Sequence, residues 1–367
     1  MHKIKYVDLQ KQWSAERKAL LKEIDNVVSE GMHVNGSQIS KFEKNISKLL
    51  NIKYCVSLNS GTDALVMSLH VLGVKRGDEV ITVSNSFIAS TASIIHLGAK
   101  PVFVDINEDL NINQNAIESK ITSKTKAIMP VHLTGRCCNM EKIVRLSKKY
   151  NIPVIEDSAQ SIGSKYNNKF AGTFGQIGCF STHPLKNLNA VGDGGFIVTN
   201  SSKIYNKISL LRNHGLKNRN NAEHFGYVSR MDTIQATILN YRLKNLNKVI
   251  KARRRNALLY FKLLKGLPII MPLEKKMEFN TYHTFIIICN NRNKLKKFLL
   301  REGIETAIHY PIPIHLQKAY LKFNLKKLKI PNTEKLCKKI LTLPINQYLN
   351  TKDINYISKK IREFYNS

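Results

Sequence analysis

The feature that most constrains the fold is a rhythm that sets in at Tyr54, where short apolar runs of strand length begin to alternate with helical segments. Tyr54-Cys55-Val56-Ser57-Leu58, Glu79-Val80-Ile81-Thr82-Val83, Pro101-Val102-Phe103-Val104-Asp105, Ala127-Ile128-Met129-Pro130-Val131 and Pro153-Val154-Ile155-Glu156-Asp157 read as strands. Residues 64–72, 90–96 and 139–149 carry helical spacing between them. Strands that are apolar on both faces need a layer on each side, so the pattern specifies a largely parallel α/β sheet flanked by helices. Ligands of such sheets bind beyond the carboxyl ends of the strands. Asn59 to Thr62, and Asp157, fall at such ends.

Outside this rhythm the texture differs. Residues 13–29 form an amphipathic helix ending near Gly31, and residues 38–50 form a second helix. After about Asn240 come a long basic helix over 243–264, a strand-like run over 282–288, a lysine-rich helix, Pro311 and Pro313, and a C-terminal helix from Asp353. A chain of 367 residues exceeds what one small core absorbs. The expected division is a large domain over 1–245 and a smaller α+β domain over 246–367.

Three segments carry chemistry. Ser57-Leu58-Asn59-Ser60-Gly61-Thr62-Asp63-Ala64-Leu65 is a strand, a small polar turn and a helix start. Its amides and hydroxyls suit an anion, although an ordinary N-cap explains Ser60 or Thr62 as well. No Gly-Lys-Ser/Thr follows, so it is not a Walker loop. Glu156-Asp157-Ser158-Ala159-Gln160 places a carboxylate directly after a strand, where it either caps a helix or pairs with a protonated ring nitrogen. In Gly178-Cys179-Phe180-Ser181-Thr182-His183-Pro184-Leu185-Lys186-Asn187-Leu188, Pro184 and the glycines that follow at 192, 194 and 195 exclude a regular helix. Lys186 lies there in an apolar context. Burial lowers an amine's pKa and frees it to form a Schiff base, whereas most lysines of so basic a chain are solvated.

Together these segments resemble the DegT/DnrJ/StrS family of sugar aminotransferases over nearly the whole chain. Further markers are Gly77-Asp78-Glu79-Val80-Ile81, Gly98-Ala99-Lys100-Pro101-Val102-Phe103-Val104-Asp105, Pro130-Val131-His132-Leu133-Thr134-Gly135 and His309-Tyr310-Pro311-Ile312-Pro313-Ile314-His315-Leu316-Gln317. The resemblance implies the fold-type-I architecture of enzymes that use pyridoxal 5′-phosphate (PLP), with a mainly parallel mixed sheet. It implies that Lys186 carries the cofactor covalently and that Asp157 pairs with the pyridine nitrogen. Gln160 would meet the phenolic oxygen, Gly61, Thr62 and Ser181 would hold the phosphate, and Phe87 would stack on the ring. The implied reaction takes an amino group from glutamate to a keto-sugar, expected to be nucleotide-linked, in surface polysaccharide or related amino-sugar biosynthesis. The implied assembly is a homodimer with active sites at the subunit boundary. Relatives that dehydrate sugars have His in place of the lysine, so Lys186 favours amino transfer over dehydration. Val228 departs from the pattern, since most members have there an Asn that reaches the partner's phosphate. Ser229 and Arg230 are the candidates to replace it. Ser86 stands where many members have Thr, and His214 receives no role.

Composition bears on the rival readings. The net charge is +32, from 58 Lys+Arg against 26 Asp+Glu. Such an excess suits nucleic acid, or a field that gathers anionic substrates, or simply a solvated surface. The cationic residues are spread along the chain, and no helix-turn-helix, zinc finger or aromatic-basic RNA motif accompanies them, so nucleic acid is not an expected partner. The six cysteines are scattered, with one adjacent pair at Cys137-Cys138, which is not the spacing of a metal knuckle or a redox pair. No metal is expected. No run reaches bilayer length and no signal-peptide core is present, so a cytoplasmic protein without a membrane partner is expected.

Overall fold

The computed structural model describes residues 3–323 and 328–366. Its centre is a mostly parallel sheet whose strands are β1 (Tyr54–Leu58), β2 (Glu79–Val83), β3 (Lys100–Val104), β4 (Thr125–Ile128), β5 (Ile155–Asp157), β6 (Ile177–Ser181) and β7 (Gly195–Thr199). Two bodies of pairing, β1-β7-β6-β5 and β3-β2-β4, are joined where β5 runs parallel to the end of β4 through Ile128–Val154 and Val131–Asp157. The spatial order is therefore β1-β7-β6-β5-β4-β2-β3, with β7 antiparallel to both its neighbours. All five residues of β7 are buried, as both of its faces are covered.

The helices supply those covers. They are α1 (Leu9–Ser29), α2 (Ser37–Leu50), α3 (Gly61–Val71), α4 (Ile88–His96), α5 (Met140–Tyr150), α6 (Ser202–Leu211) and α7 (Thr233–Leu243). Leu65, Met67 and Leu69 of α3, Ile94 of α4 and Ile208 of α6 pack with Val56, Leu58, Ile177 and Ile197. On the other side Phe42, Ile46 and Leu50 of α2 and Leu239 of α7 meet Phe180, Phe196 and Val198. The rings of Phe180 and Phe196 stack at 4.7 Å across the β6–β7 pair.

A second sheet is antiparallel, in the order β8 (Ile269–Ile270), β9 (Phe285–Cys289), β10 (Ile340–Leu343). Helices α8 (Leu246–Leu263), α9 (Arg292–Arg301) and α12 (Thr351–Asn366) cover it, with Tyr260, Leu295, Ile354 and Ile357 in one core with Phe285, Ile287 and Leu341. Between them α10 (Lys318–Phe323) sets Tyr320 against Phe103 of β3, and α11 (Pro331–Lys339) leads into β10. The N-terminal arm joins this lobe, since Ile4 bridges to Ile304 and lies in the same core. Among the described residues no helix is long and apolar enough to cross a membrane, and no cluster of metal-binding side chains occurs. All six cysteines are free and buried.

Two expectations need correction. The basic helix expected over 243–264 is α8 and starts three residues later, at Leu246, because the chain turns at Lys244-Asn245 between α7, packed on α1 and α2, and α8 on the second sheet. The strand-like run over 282–288 is extended only from Phe285, since Tyr282 takes a positive φ of 46°. Hydrogen bonds from Thr281 N to Gly135 O and from Thr284 N to Thr134 O tie that turn to the loop after β4.

Candidate active site

The carboxyl ends of β1, β2, β4, β5 and β6 open on one edge of the sheet, and the elements that leave them build a single cavity of about 360 Å³. After β1, Ser60 caps α3 by accepting a hydrogen bond from Asp63 N at 3.0 Å. Gly61 and Thr62 are then the first helical residues, so their N–H groups have no acceptor within the helix. Both line the cavity, and no acceptor for either appears among the described residues. A Cβ on Gly61 would lie 2.6 Å from the Cβ of Ser181, so only glycine lets this turn approach the end of β6. The result is a helix N-terminus with a serine hydroxyl beside it, which suits a phosphate.

Asp157 closes β5 and is buried. Its Oδ2 accepts from Ser90 Oγ at 2.6 Å, Ser90 in turn bonds Ser86 Oγ at 2.7 Å, and Oδ1 accepts from Ala159 N at 3.2 Å. The neighbouring Glu156 points to the opposite face of the strand and fixes it. Its carboxylate accepts from the N–H groups of Gly172, Phe174 and Gly175 and bonds His132 Nε2 at 2.9 Å. Four partners on a fully buried carboxylate make Glu156 the anchor that aims Asp157.

Lys186 stands on a loop without regular structure that is nevertheless tied down. Lys186 N donates to His183 O, Asn187 Nδ2 to Thr281 O, Asn189 Nδ2 to Pro184 O and Ala190 N to Thr182 O. The amine reaches into the cavity and has no hydrogen-bond or ion-pair partner among the described residues. Desolvation lowers its pKa to about 8, with Asp157 opposing the shift. The neutral, nucleophilic form therefore accumulates above pH 8 rather than above the ordinary lysine value of roughly 10.4. Attachment of an aldehyde to the cofactor-free protein is expected to accelerate as pH rises through about 8 and to level off above it, as stopped-flow absorbance would record.

The structure brings all seven expected site residues, Gly61, Thr62, Phe87, Asp157, Gln160, Ser181 and Lys186, to the wall of this one cavity. Phe87 is 57% exposed, its ring 6.2 Å from that of Tyr310. Gln160 is held at both ends, accepting from Thr134 N at 2.8 Å and donating to Tyr310 Oη at 3.3 Å. Tyr6, His183, Arg253, His283, His309 and Tyr310 also line the cavity, and sequence reasoning assigned none of them a role. Burial and the nearby Lys186 charge lower the pKa of His309 to about 4 and that of His283 well below the usual range, so both imidazoles are neutral at pH 7.

The segment around Val228 lies elsewhere. Val228 is exposed, and its carbonyl accepts from Asn59 Nδ2 at 3.4 Å. Ser229 Oγ is spent on Asn59 Oδ1, and Arg230 Nη1 donates to Asn213 Oδ1. Neither side chain lines the cavity, and His214 does not either.

A phosphate cradle, a buried carboxylate and an unpartnered amine with a lowered pKa around one cavity fit a phosphorylated pyridine aldehyde. Comparison with known proteins agrees. The model of the DegT/DnrJ/EryC1/StrS aminotransferase family matches residues 14–362. The chain is 38% identical to UDP-N-acetyl-3-dehydro-alpha-D-glucosamine 3-aminotransferase of Acidithiobacillus ferrooxidans, over 98% of this chain and 97% of the relative. It is 37% identical to the pleiotropic regulatory protein of Geobacillus stearothermophilus, over 98% of both. The crystal structure of NtdA from Bacillus subtilis with bound cofactor PMP superposes with a TM-score of 0.94 at 29% identity, covering all of this chain and 86% of that one.

Proposed function

Since this chain belongs to the DegT/DnrJ/EryC1/StrS aminotransferase family, whose cofactor is PLP, we propose that it moves an amino group from glutamate to a nucleotide-linked keto-sugar. The observation that carries this reading is the desolvated amine of Lys186 sharing a cavity with Asp157 and the N-terminus of α3. The amino sugar formed would serve surface polysaccharide or related biosynthesis in the cytoplasm.

Lys186 would hold the cofactor covalently. The N–H groups of Gly61 and Thr62, with the Ser181 hydroxyl, would take its phosphate, and Phe87 would cover one face of its ring. Gln160 would meet its phenolic oxygen. When bound, the cofactor supplies an electrophilic carbon and an electron-withdrawing ring. Asp157, held in aim by Ser90 and by the anchored Glu156, would keep that ring protonated at nitrogen. The Nζ of Lys186 would also move the proton, taking it from the donor's α-carbon as general base and giving it back as general acid. The keto-sugar half reaction uses the same proton transfers in reverse, which gives ping-pong kinetics.

Two further assignments accompany this one. The chain works as a homodimer, for which the exposed apolar side chains of Phe87, Leu185, Val191, Phe225 and Val228 offer a surface to cover. The large domain spans 1–245, with its N-terminal arm reaching across at Ile4, and the small one 246–367, in keeping with the turn between α7 and α8.

Incubation with glutamate and a panel of nucleotide-linked keto-sugars tests the reading. The expected result is one equivalent of 2-oxoglutarate per amino sugar, the latter identified by mass. Turnover with keto acids but with no keto-sugar would instead make the chain an amino-acid transaminase. Salt-sensitive DNA binding without any cofactor spectrum would revive the regulatory alternative, which the charge of +32 and one relative's name raise.

A further inference from the structure

Of the four arginines buried among the described residues, two are paired with a carboxylate. Arg136 meets Glu278 at 2.7 Å, Arg242 meets Glu16 at 2.9 Å, and the less buried Arg254 meets Glu274 at 2.8 Å. Arg253 of α8 is the exception that matters, because it is only 4% exposed, lines the active-site cavity, and has no carboxylate partner among the described residues. Arg292 also lacks one, but it does not line this cavity.

The guanidinium of Arg253 has five N–H donors. Nη1 donates to the carbonyls of Tyr282 at 3.3 Å and His283 at 3.0 Å, and Nη2 donates to Gln347 Oε1 at 3.2 Å. Nε–H is buried without an acceptor, and one Nη2 hydrogen also remains. Two N–H groups of a planar fork are what a carboxylate accepts in a bidentate pair. A second orphan lies on the same wall, since His283 Nδ1 is buried without a partner and His283 is 9% exposed. An unpaired charge in such a place is costly unless a ligand compensates it. Burial lowers even the pKa of Arg253, to about 10, with only the Tyr6 phenol opposing.

We propose that Arg253 anchors a substrate carboxylate, with the Tyr6 and His283 side chains beside it, and so fixes the substrate's orientation against Lys186. This rests on the aminotransferase reading above. Two substrates could bring that carboxylate to the fork, namely the amino-acid donor, or a keto-sugar that is itself a uronate. In the first case Arg253 selects the donor. In the second it selects the acceptor.

The test uses the cofactor-loaded enzyme and two variants, Arg253→Gln, which loses charge and fork, and Arg253→Lys, which keeps the charge alone. Steady-state kinetics compare glutamate with its α-amide and its γ-amide, and a keto-uronate with the keto-hexose of the same linkage. Calorimetric titration with 2-oxoglutarate gives a readout independent of turnover. If the donor supplies the carboxylate, Arg253→Gln raises the KM for glutamate about tenfold or more and weakens 2-oxoglutarate binding similarly. Preference for glutamate over one of the two amides then collapses toward unity, and the amide concerned identifies which carboxylate is held. If the sugar supplies it, the uronate preference collapses instead. Arg253→Lys falls between in either case, and should Arg253→Gln fail to fold, a severalfold loss of preference in Arg253→Lys decides the matter. Preferences equal to wild type in the folded variants would overturn the inference, because a merely structural arginine lowers all substrates in parallel. A wild-type enzyme that binds 2-oxoglutarate through Arg253 but aminates no keto-sugar would sink the sugar reading and leave this one standing.

Discussion

Replacing Lys186 with alanine is expected to remove the visible absorbance that marks covalent attachment of the cofactor, and to lower kcat by at least about 10²–10⁴-fold. That factor is what general acid–base catalysis alone contributes, and the same amine is asked both to hold the cofactor and to move the proton. Loss of folding is not the expected cause. The loop is held by Asn187, Asn189 and Ala190 through bonds that do not involve the lysine side chain. The wild-type ammonium is desolvated and without a partner, so its removal leaves the melting temperature unchanged or higher. Parallel thermal melts and single-turnover kinetics separate the two effects.

Asp157→Asn has the second largest expected effect. Asparagine keeps the size of the side chain, and its carbonyl oxygen can still accept the Ser90 hydroxyl, so packing is preserved. What disappears is the negative charge that, on this proposal, would hold a ring nitrogen protonated. A carboxylate at contact distance raises a cation's pKa by roughly 1–3 units, and each unit is about 1.4 kcal/mol. If that stabilisation is used in the transition state, kcat falls by about 10–1000-fold. The variant also carries an internal control. Asp157 holds the Lys186 pKa up against burial, so its removal lets that pKa fall further. The midpoint for aldehyde attachment then moves below about pH 8. A drop in kcat without this shift would mean that the carboxylate does not sense the amine.

Much of the fold and of the segments that line one wall of the cavity was legible in the sequence, for a physical reason. Strands buried on both faces must be written in Val, Ile and Leu, and the turns at their carboxyl ends must be small and polar. β1 and β2 accordingly match their expected bounds. Ser60-Gly61-Thr62, Asp157-Ser158-Ala159-Gln160 and Ser181 are local departures from such runs, so each announces itself. The helix start shows the limit, since 59–63 reads as a turn whereas Gly61 is already the first residue of α3. That difference matters chemically, because it places the free N–H groups on Gly61 and Thr62.

The rest of the cavity wall was not legible. Tyr6, Arg253, His283 and His309 come from four separate segments and meet only through packing of the second sheet and the N-terminal arm on the first. Arg253 sits in Lys251-Ala252-Arg253-Arg254-Arg255, which looks like any solvated basic helix face, and only burial distinguishes it from its neighbours. Glu156 was overshadowed by the adjacent aspartate, because nothing in sequence shows that Gly172, Phe174 and Gly175 fold back to donate to it. A charged residue directly after the apolar run Val154-Ile155 inside a strand was the available signal.

The account stands on one covalent attachment among many available amines. Borohydride reduction of the cofactor-loaded enzyme, followed by proteolysis and mass spectrometry, locates it. The predicted result is a single modified peptide, with the added mass on Lys186 and its yield near one per chain. Modification at a different lysine, or a scatter over several surface lysines with none at 186, would contradict the assignment of the site.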